Sequence, residues 1–228
     1  MNDRSGHRAD LRDTVVILLT LAAGAVDAIS FLGLGGAFSA NMTGNIVLLG
    51  AAAGKGFTEA LLRSGAALAG YVVGVYIAAR AVRRSVDSAG LWPVWMTRGL
   101  AAVALAEGVV LAGWLASSGR PSLAGEATLL AIAAVAMGAQ GAFVHRLGLT
   151  GVTTTYVTGT LTGFLSELAT SSGSGRNRLQ RLGVVLALFA GAAVAALLVF
   201  QAREAAALVP PLLTVAAVVL AARAFGWR

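Results

Sequence analysis

Apolar stretches of about 20 residues recur along this chain from Thr14 to its C-terminus. A helix rises ~1.5 Å per residue, so a stretch of this length crosses the ~30 Å hydrocarbon core of a bilayer. Charged residues make up only 12% of the 228 residues, whereas a soluble domain carries about twice that share. The sequence therefore predicts an all-α integral membrane protein.

Eight apolar segments follow one another, and two of them are unusual. In chain order they cover residues 14–32, 42–53, 61–79, 97–117, 127–144, 150–170, 182–200 and 208–222. The second has 12 residues and reaches only ~18 Å as a helix, which is too short to cross. The sixth carries seven threonines between Thr150 and Thr162. We predict about six transmembrane helices plus two short re-entrant or broken helices.

Residues 24–54 place polar groups inside one of the most apolar parts of the chain. They contain a carboxylate at Asp27, glycines at 33, 35 and 36, and the motif Asn41-Met-Thr-Gly-Asn45. Polar side chains in a membrane are costly unless they are buried among helices for a purpose. This stretch is therefore the predicted location of a functional site.

The two halves of the chain resemble one another. The features Gly24, Asp27, Phe31, Thr43-Gly44, Gly70 and Pro93 recur in order as Gly138, Gln140, Phe143, Thr158-Gly159, Gly191 and Pro210. We interpret this as an internal repeat within one transmembrane domain. A polar tail at residues 1–13 precedes repeat 1, at about 14–117, and repeat 2 covers about 127–228.

The distribution of Lys and Arg favours re-entrant short segments over eight full spans. With the N-terminus inside, eight spans place 11 basic residues inside and 6 outside, whereas two re-entrant segments place 13 inside and 4 outside. The second arrangement follows the positive-inside rule better. It leaves three spans in each half, so the repeats are predicted to be inverted with respect to one another.

Re-entrant segments would bring two helix N-termini together near the middle of the membrane. Each N-terminus carries free backbone N–H groups and roughly half a positive charge, which suits an anion or a polar solute. Inverted repeats with broken helices are typical of secondary transporters, and channels also use such helix ends. The predicted substrate-binding residues are Asp27, Asn41, Thr43, Asn45, Gln140, Thr158 and Thr160.

These polar residues have alternative structural readings. Asn and Thr at helix starts commonly cap backbone groups, and threonines in membrane helices bond the preceding turn. Asp27 is predicted either to cap the chain or to take up and release a proton coupled to substrate movement. Glu107 is interpreted as a polar contact between helices in preference to a substrate ligand. Five glycines are predicted to allow close helix packing: Gly44, Gly50, Gly54, Gly159 and Gly163.

Other classes of function are less consistent with the sequence. No His-Glu-x-x-His, Gly-x-Ser-x-Gly or P-loop motif occurs, so we expect no enzyme, no cofactor and no metal site. The arginines lie in short loops, which argues against nucleic acid. The expected partners are the lipid bilayer, a small polar or anionic solute and, in one arrangement, a second copy in a homodimer. The alternative to transport is a scaffold or sensor whose polar residues serve helix packing.

Several motifs resemble the YoaK family of bacterial multi-pass transmembrane proteins. They are Asp27-x-x-Ser30-Phe31, Ala40-Asn-Met-Thr-Gly-Asn45, Met137-Gly-x-Gln140 and Thr154-Thr-Tyr-Val-Thr-Gly-Thr160. The resemblance covers nearly the whole chain from Thr14. It departs at Gly141, where an Asn is expected. It implies a bacterial cytoplasmic membrane and a family whose function is unknown. The N-terminus is expected in the cytoplasm from the distribution of Lys and Arg.

Overall fold

The computed structural model describes residues 3–56, 58–83, 92–147, 157–170 and 175–226. These residues form helices and no strands: α1 (Asp3–Gly33), α2 (Met42–Lys55), α3 (Thr58–Arg83), α4 (Val94–Ala116), α5 (Leu123–Arg146), α6 (Val157–Ala169), α7 (Gly175–Gln201), α8 (Arg203–Ala206) and α9 (Val209–Phe225). Six segments are long and apolar enough to cross a membrane; the last consists of α8 and α9 together. The predicted all-α membrane fold is confirmed.

Two of the described helices, α2 and α6, are short and lie outside the six spanning segments. α2 has 14 residues and α6 has 13, so each is about 20 Å long. They correspond to the two unusual segments of the sequence. The predicted inward turn at 147–153 before α6 lies, apart from Leu147, outside the described residues.

The polar start of the chain differs from the predicted tail, because α1 is already helical at Asp3. At Asp13, the last residue of that tail, the carboxylate accepts a hydrogen bond of 3.0 Å from Gln180 of α7. The end of the polar segment is therefore part of α1 and packs against α7.

The contacts between helices follow a regular pattern. α1 packs on α7 and α9, and α5 packs on α3 and α4. α2 lies on α3, α6 lies on α7, and α4 contacts α9. The set of contacts stays the same when each helix of the first half is exchanged with its counterpart in the second half: α1 with α5, α2 with α6, α3 with α7 and α4 with α9. α8 has no counterpart in this scheme. A two-fold related repeat would produce this pattern, and the inverted repeat itself stays a prediction.

Glycines make the closest helix contacts. A Cβ atom at Gly24 would overlap the carbonyl oxygen of Leu188, and one at Gly191 would overlap that of Leu21, so α1 and α7 meet backbone to backbone. The α3/α5 interface repeats this arrangement: Gly138 lies against Tyr71, and Gly74 lies against Val135. The small residues of α3 thus let its backbone approach that of α5 closely.

These contacts give a register that differs from the one read from the sequence. Gly24 and Gly138 are 114 positions apart, and so are the carbonyl groups of Leu21 and Val135. Gly191 therefore corresponds to Gly74 by its contact, whereas the sequence comparison paired it with Gly70.

Two glycines predicted to allow helix packing do not. Gly50 and Gly54 of α2 have open space where a Cβ atom would lie. α2 packs on α3 through another face, so its apolar Ile46 and Val47 remain exposed. Gly44 instead faces the Phe38 ring, and Gly163 faces the guanidinium group of Arg181.

The most buried side chains lie between α1, α4, α5 and α9. Leu19, Leu100, Val103, Met137 and Ala217 belong to one core cluster and are at most 2% exposed. This cluster supports the half of α1 that carries the candidate site.

Candidate functional site

Two glycines turn the chain back into the protein after α1. The N–H groups of Leu34 and Gly36 bond the carbonyl groups of Ser30 and Phe31, which ends the helix. Gly35 and Gly36 have φ values of 83° and 87°, a conformation that L side chains rarely adopt. The glycines therefore start the connection that leads to α2.

Asp27 holds that connection against α1. One of its carboxylate oxygens, Oδ1, accepts hydrogen bonds from the N–H groups of Ser39 at 2.9 Å and Ala40 at 2.7 Å. The hydroxyl groups of Ser30 and Ser39 add a buried hydrogen bond of 2.7 Å. These contacts place the start of α2 beside the C-terminal part of α1, as the predicted capping role of Asp27 requires.

The two asparagines of the motif act locally. Asn45 is fully buried: its Oδ1 accepts from the Phe38 N–H at 2.9 Å, and its Nδ2 donates to the Phe38 carbonyl at 2.6 Å. Asn41 is the N-cap of α2, and its side chain accepts from the Gly44 N–H at 3.3 Å. Both side chains therefore satisfy backbone groups near the helix start.

The starts of α2 and α6 share a cavity of about 670 Å³. Asn41, Thr43 and Gly44 of α2 line one side, and Thr158 of α6 lines another. Asp27 of α1 forms part of the wall as well. Residues more than 110 positions apart thus face one space, which is large enough for a small solute.

Four of the seven predicted site residues line this cavity and three do not. Asp27, Asn41, Thr43 and Thr158 reach it. Asn45 is occupied by Phe38, and Thr160 is buried outside the lining. Gln140 is buried and donates from Nε2 to the Leu19 carbonyl of α1 at 3.1 Å. It therefore holds α1 and α5 together.

The helix register also changes the predicted counterpart of Asp27. With the 114-residue separation given by the glycine contacts, Asp27 corresponds to Gly141, and Gln140 corresponds to Val26. The second half therefore provides no side chain to match the Asp27 carboxylate.

Some lining residues were missed from the sequence. Phe38, Tyr71 and Leu188 provide apolar wall. Tyr71 follows Gly70 directly, so the close α3/α5 contact decides its position. Leu188 contacts Gly24 closely. Gly24 therefore indicated the interface between α1 and α7, but it did not show that Leu188 also lines the cavity.

The wall of the cavity combines opposite electrostatic contributions. The first turn of α2, which Asn41 caps, contributes partial positive charge. Asp27 contributes a carboxylate, but its Oδ1 is already bonded to two N–H groups, and Asn41 caps a third. Hydroxyl groups at Thr43 and Thr158 remain on the wall. The arrangement can bind a polar molecule through hydrogen bonds without a metal or a nucleophile.

Comparison with known proteins agrees with this architecture. The family model described as "Protein of unknown function (DUF1275)" matches residues 15–221. The UPF0700 transmembrane protein YoaK of Bacillus subtilis (strain 168) is 37% identical over 161 residues, which cover 71% of this chain and 69% of that protein. No solved structure matches the chain. The chain therefore belongs to the YoaK (DUF1275) family of multi-pass transmembrane proteins.

Proposed function

We propose that this protein is a secondary transporter or channel for a small polar or anionic solute, and that the solute binds between α2 and α6. The observation that carries the proposal is the shared cavity of about 670 Å³, which both helix starts line. Irregular backbone within a membrane is tolerated where it lines such a cavity. Transporters with inverted repeats bind their substrates at sites of this kind.

Within that class, the charges favour a neutral polar solute over an anion. An anion would gain from the two helix N-termini. It would also lie near the Asp27 carboxylate, and the N–H groups that Asp27 and Asn41 already bond are not available to it. A neutral solute with donor and acceptor groups avoids the repulsion and still bonds the hydroxyl groups of Thr43 and Thr158.

The orientation of the protein is part of the proposal. We place it in the bacterial cytoplasmic membrane with both termini in the cytoplasm. Six spans with this orientation put 13 of the 17 Lys and Arg residues on the cytoplasmic side, as the positive-inside rule requires.

The test is flux into liposomes that contain the purified protein. Swelling rates are measured with urea and glycerol as neutral probes and formate as an anionic probe. Thr158→Leu replaces a lining hydroxyl with an apolar side chain. Losing a hydrogen bond worth about 1.4 kcal/mol should lower flux about ten-fold.

Thr162→Leu is the matched control. Thr162 lies on the same helix, is exposed and is not part of the cavity wall, so flux should be unchanged. Faster flux of urea or glycerol than of formate would support the neutral class. Swelling no faster than in empty liposomes for all three probes would contradict transport of small solutes.

A scaffold or sensor is the second candidate. The specific observation in its favour is that Asn45 and Gln140 bond backbone groups rather than facing the cavity. This candidate predicts no flux for any probe, together with loss of folding when those two side chains are removed.

A further inference from the structure

Glu107 of α4 is a buried carboxylate outside the site described above. It is 4% exposed, and among the described residues neither of its carboxylate oxygens has a hydrogen-bond partner. Thr214 of α9 is the nearest hydroxyl donor to this carboxylate, although neither group forms a hydrogen bond of good geometry among the described residues. A buried ionised carboxylate with no partner is costly, so this group requires a neutralising occupant.

A small cavity adjoins this carboxylate. Its volume is about 30 Å³, which is enough for a water molecule. Apolar residues form most of the wall, and Ser30 of α1 contributes a hydroxyl. A sodium ion needs about six oxygen ligands, by analogy with other hard cations. The carboxylate and one hydroxyl are too few, whereas a proton needs only the carboxylate.

No other titratable or charged side chain lines this cavity within the described residues. The charged residues of the neighbouring α5 and α9 are near the ends of those helices, at Glu126, His145, Arg146 and Arg223. On α1 the nearest carboxylate is Asp27, which follows the lining residue Val26 but lines the large cavity instead. Glu107 is thus the one charged side chain among the described residues that line this cavity, and a change in its charge breaks no hydrogen bond of its carboxylate.

Ser30 connects the two cavities. Ser30 lines the small cavity together with Glu107, and its hydroxyl is bonded to the Ser39 hydroxyl at 2.7 Å. The Ser39 N–H is bonded to Asp27 at 2.9 Å, just before the start of α2. Either hydroxyl can be the donor in that bond, so a Ser30 hydroxyl that donates to an ionised Glu107 must accept from Ser39. The charge of Glu107 therefore acts on the segment that positions α2.

We propose that Glu107 is a second proton-binding site, and that release of its proton fixes the direction of the Ser30–Ser39 hydrogen bond and so alters the connection before α2. The proton passes between the Glu107 carboxyl group and water, so no other reactant is needed. The inference rests on the proposed transport function because it assigns the coupling ion of that transporter. It is distinct from the proton-coupling role predicted for Asp27.

The first measurement is the infrared spectrum of the purified protein in liposomes, which reports protonated carboxyl groups without any transport. Glu107→Gln should remove one carboxylic-acid band that titrates with pH. Glu107→Asp should shift that band, which keeps the test valid if the Gln variant folds poorly. Glu204→Gln changes an exposed carboxylate on α8 and should leave the band in place. A titrating band that persists unchanged in Glu107→Gln would overturn the proposal.

The second measurement tests the connection to α2. The chain has no cysteine, so Thr43→Cys places one thiol in the large cavity. The labelling rate of that thiol is measured at each pH in Thr43→Cys alone and in the double variant with Glu107→Gln. The ratio of the two rates is free of the pH dependence of the thiol itself. This ratio should change with pH, because Glu107→Gln should abolish the part of the pH response that depends on Glu107. Ser30→Ala should abolish it too while retaining the infrared band.

Two outcomes would overturn the connection. One is a pH response that is unchanged by Glu107→Gln. The other is a response to Na⁺ at fixed pH in place of a response to pH, which would assign a metal cation to the site. Absence of solute flux with both predicted responses intact would contradict the proposed transport function but not the proton site.

Discussion

Asp27 and Asn45 hold the connection between α1 and α2 by bonding its backbone. Asp27 accepts from Ser39 and Ala40, and Asn45 makes two bonds to Phe38. Non-helical backbone in a membrane has no water to bond, so each unsatisfied group costs several kcal/mol. These side chains supply the missing partners. The main role of these side chains is therefore to fix the backbone around the site, and only some residues of this region also line the cavity.

Asp27→Asn separates the capping role from a role of the charge. Asn keeps an oxygen that can accept from Ser39 and Ala40, so the free energy of unfolding should fall by about 1 kcal/mol or less. Asp27→Ala removes both bonds and should cost about 2–4 kcal/mol. Chemical unfolding in detergent micelles measures both changes.

The same variants test the predicted proton coupling by Asp27. If the Asp27 proton is coupled to the solute, flux in liposomes should lose its pH dependence in Asp27→Asn. A pH profile identical to that of the unmodified protein would leave Asp27 with the capping role alone.

At the scale of helices, glycine decides which pairs approach closely. α1 against α7 and α3 against α5 each place a glycine on a carbonyl group of the partner helix. Lipid chains are as apolar as the side chains at these interfaces, so the hydrophobic effect does not drive the helices together. Close van der Waals packing is therefore the main attraction between them. A methyl group at such a position forces the helices apart.

Two glycines of α3 should respond to the same change with opposite sign. Gly74→Ala places a Cβ atom against the Val135 carbonyl, and we expect a loss of about 1–3 kcal/mol in the free energy of unfolding. Gly65→Ala enters open space and should gain up to about 1 kcal/mol from helix propensity. Unfolding curves of both variants in one detergent decide the point. Equal effects would contradict the backbone contact assigned to Gly74.

At the scale of the whole molecule, the two short helices are the feature that organises the fold. Each packs mainly on one long helix, α2 on α3 and α6 on α7, and both starts face one cavity. The remaining six segments are long enough to span. If α2 and α6 return to the side from which they enter, α1 and α5 cross in opposite directions, and the halves are inverted.

Cysteine labelling in intact cells tests that topology, since the chain contains no cysteine of its own. Single variants Thr58→Cys, Ser85→Cys and Ser174→Cys report on the start of α3 and on two connections outside the described residues. An impermeant reagent should label the variant at position 58 and neither of the others. Labelling at 85 with protection at 58 would instead require α2 to cross the membrane.

The sequence by itself determined the class of fold and the length of its parts. A bilayer selects helices by length and polarity, and both properties are local, so the apolar segments and a short α2 could be predicted. The sixth segment, 150–170, is long enough to span, and the distribution of Lys and Arg was what favoured six spans with a re-entrant α6. The candidate site could be located as well, because polar residues in an apolar stretch are conspicuous. The α1 start was misjudged, since its contact with Gln180 joins residues 167 positions apart.

Only the tertiary structure decided which polar side chains face the cavity. Asn41 and Asn45 differ in sequence position by four residues, yet one reaches the cavity and the other is buried against Phe38. The sequence comparison paired Gln140 with Asp27 as its counterpart in the repeat, but the Gln140 side chain of α5 donates to the Leu19 carbonyl of α1. Such choices depend on how helices rotate and approach one another, and contacts between residues distant in the chain determine both.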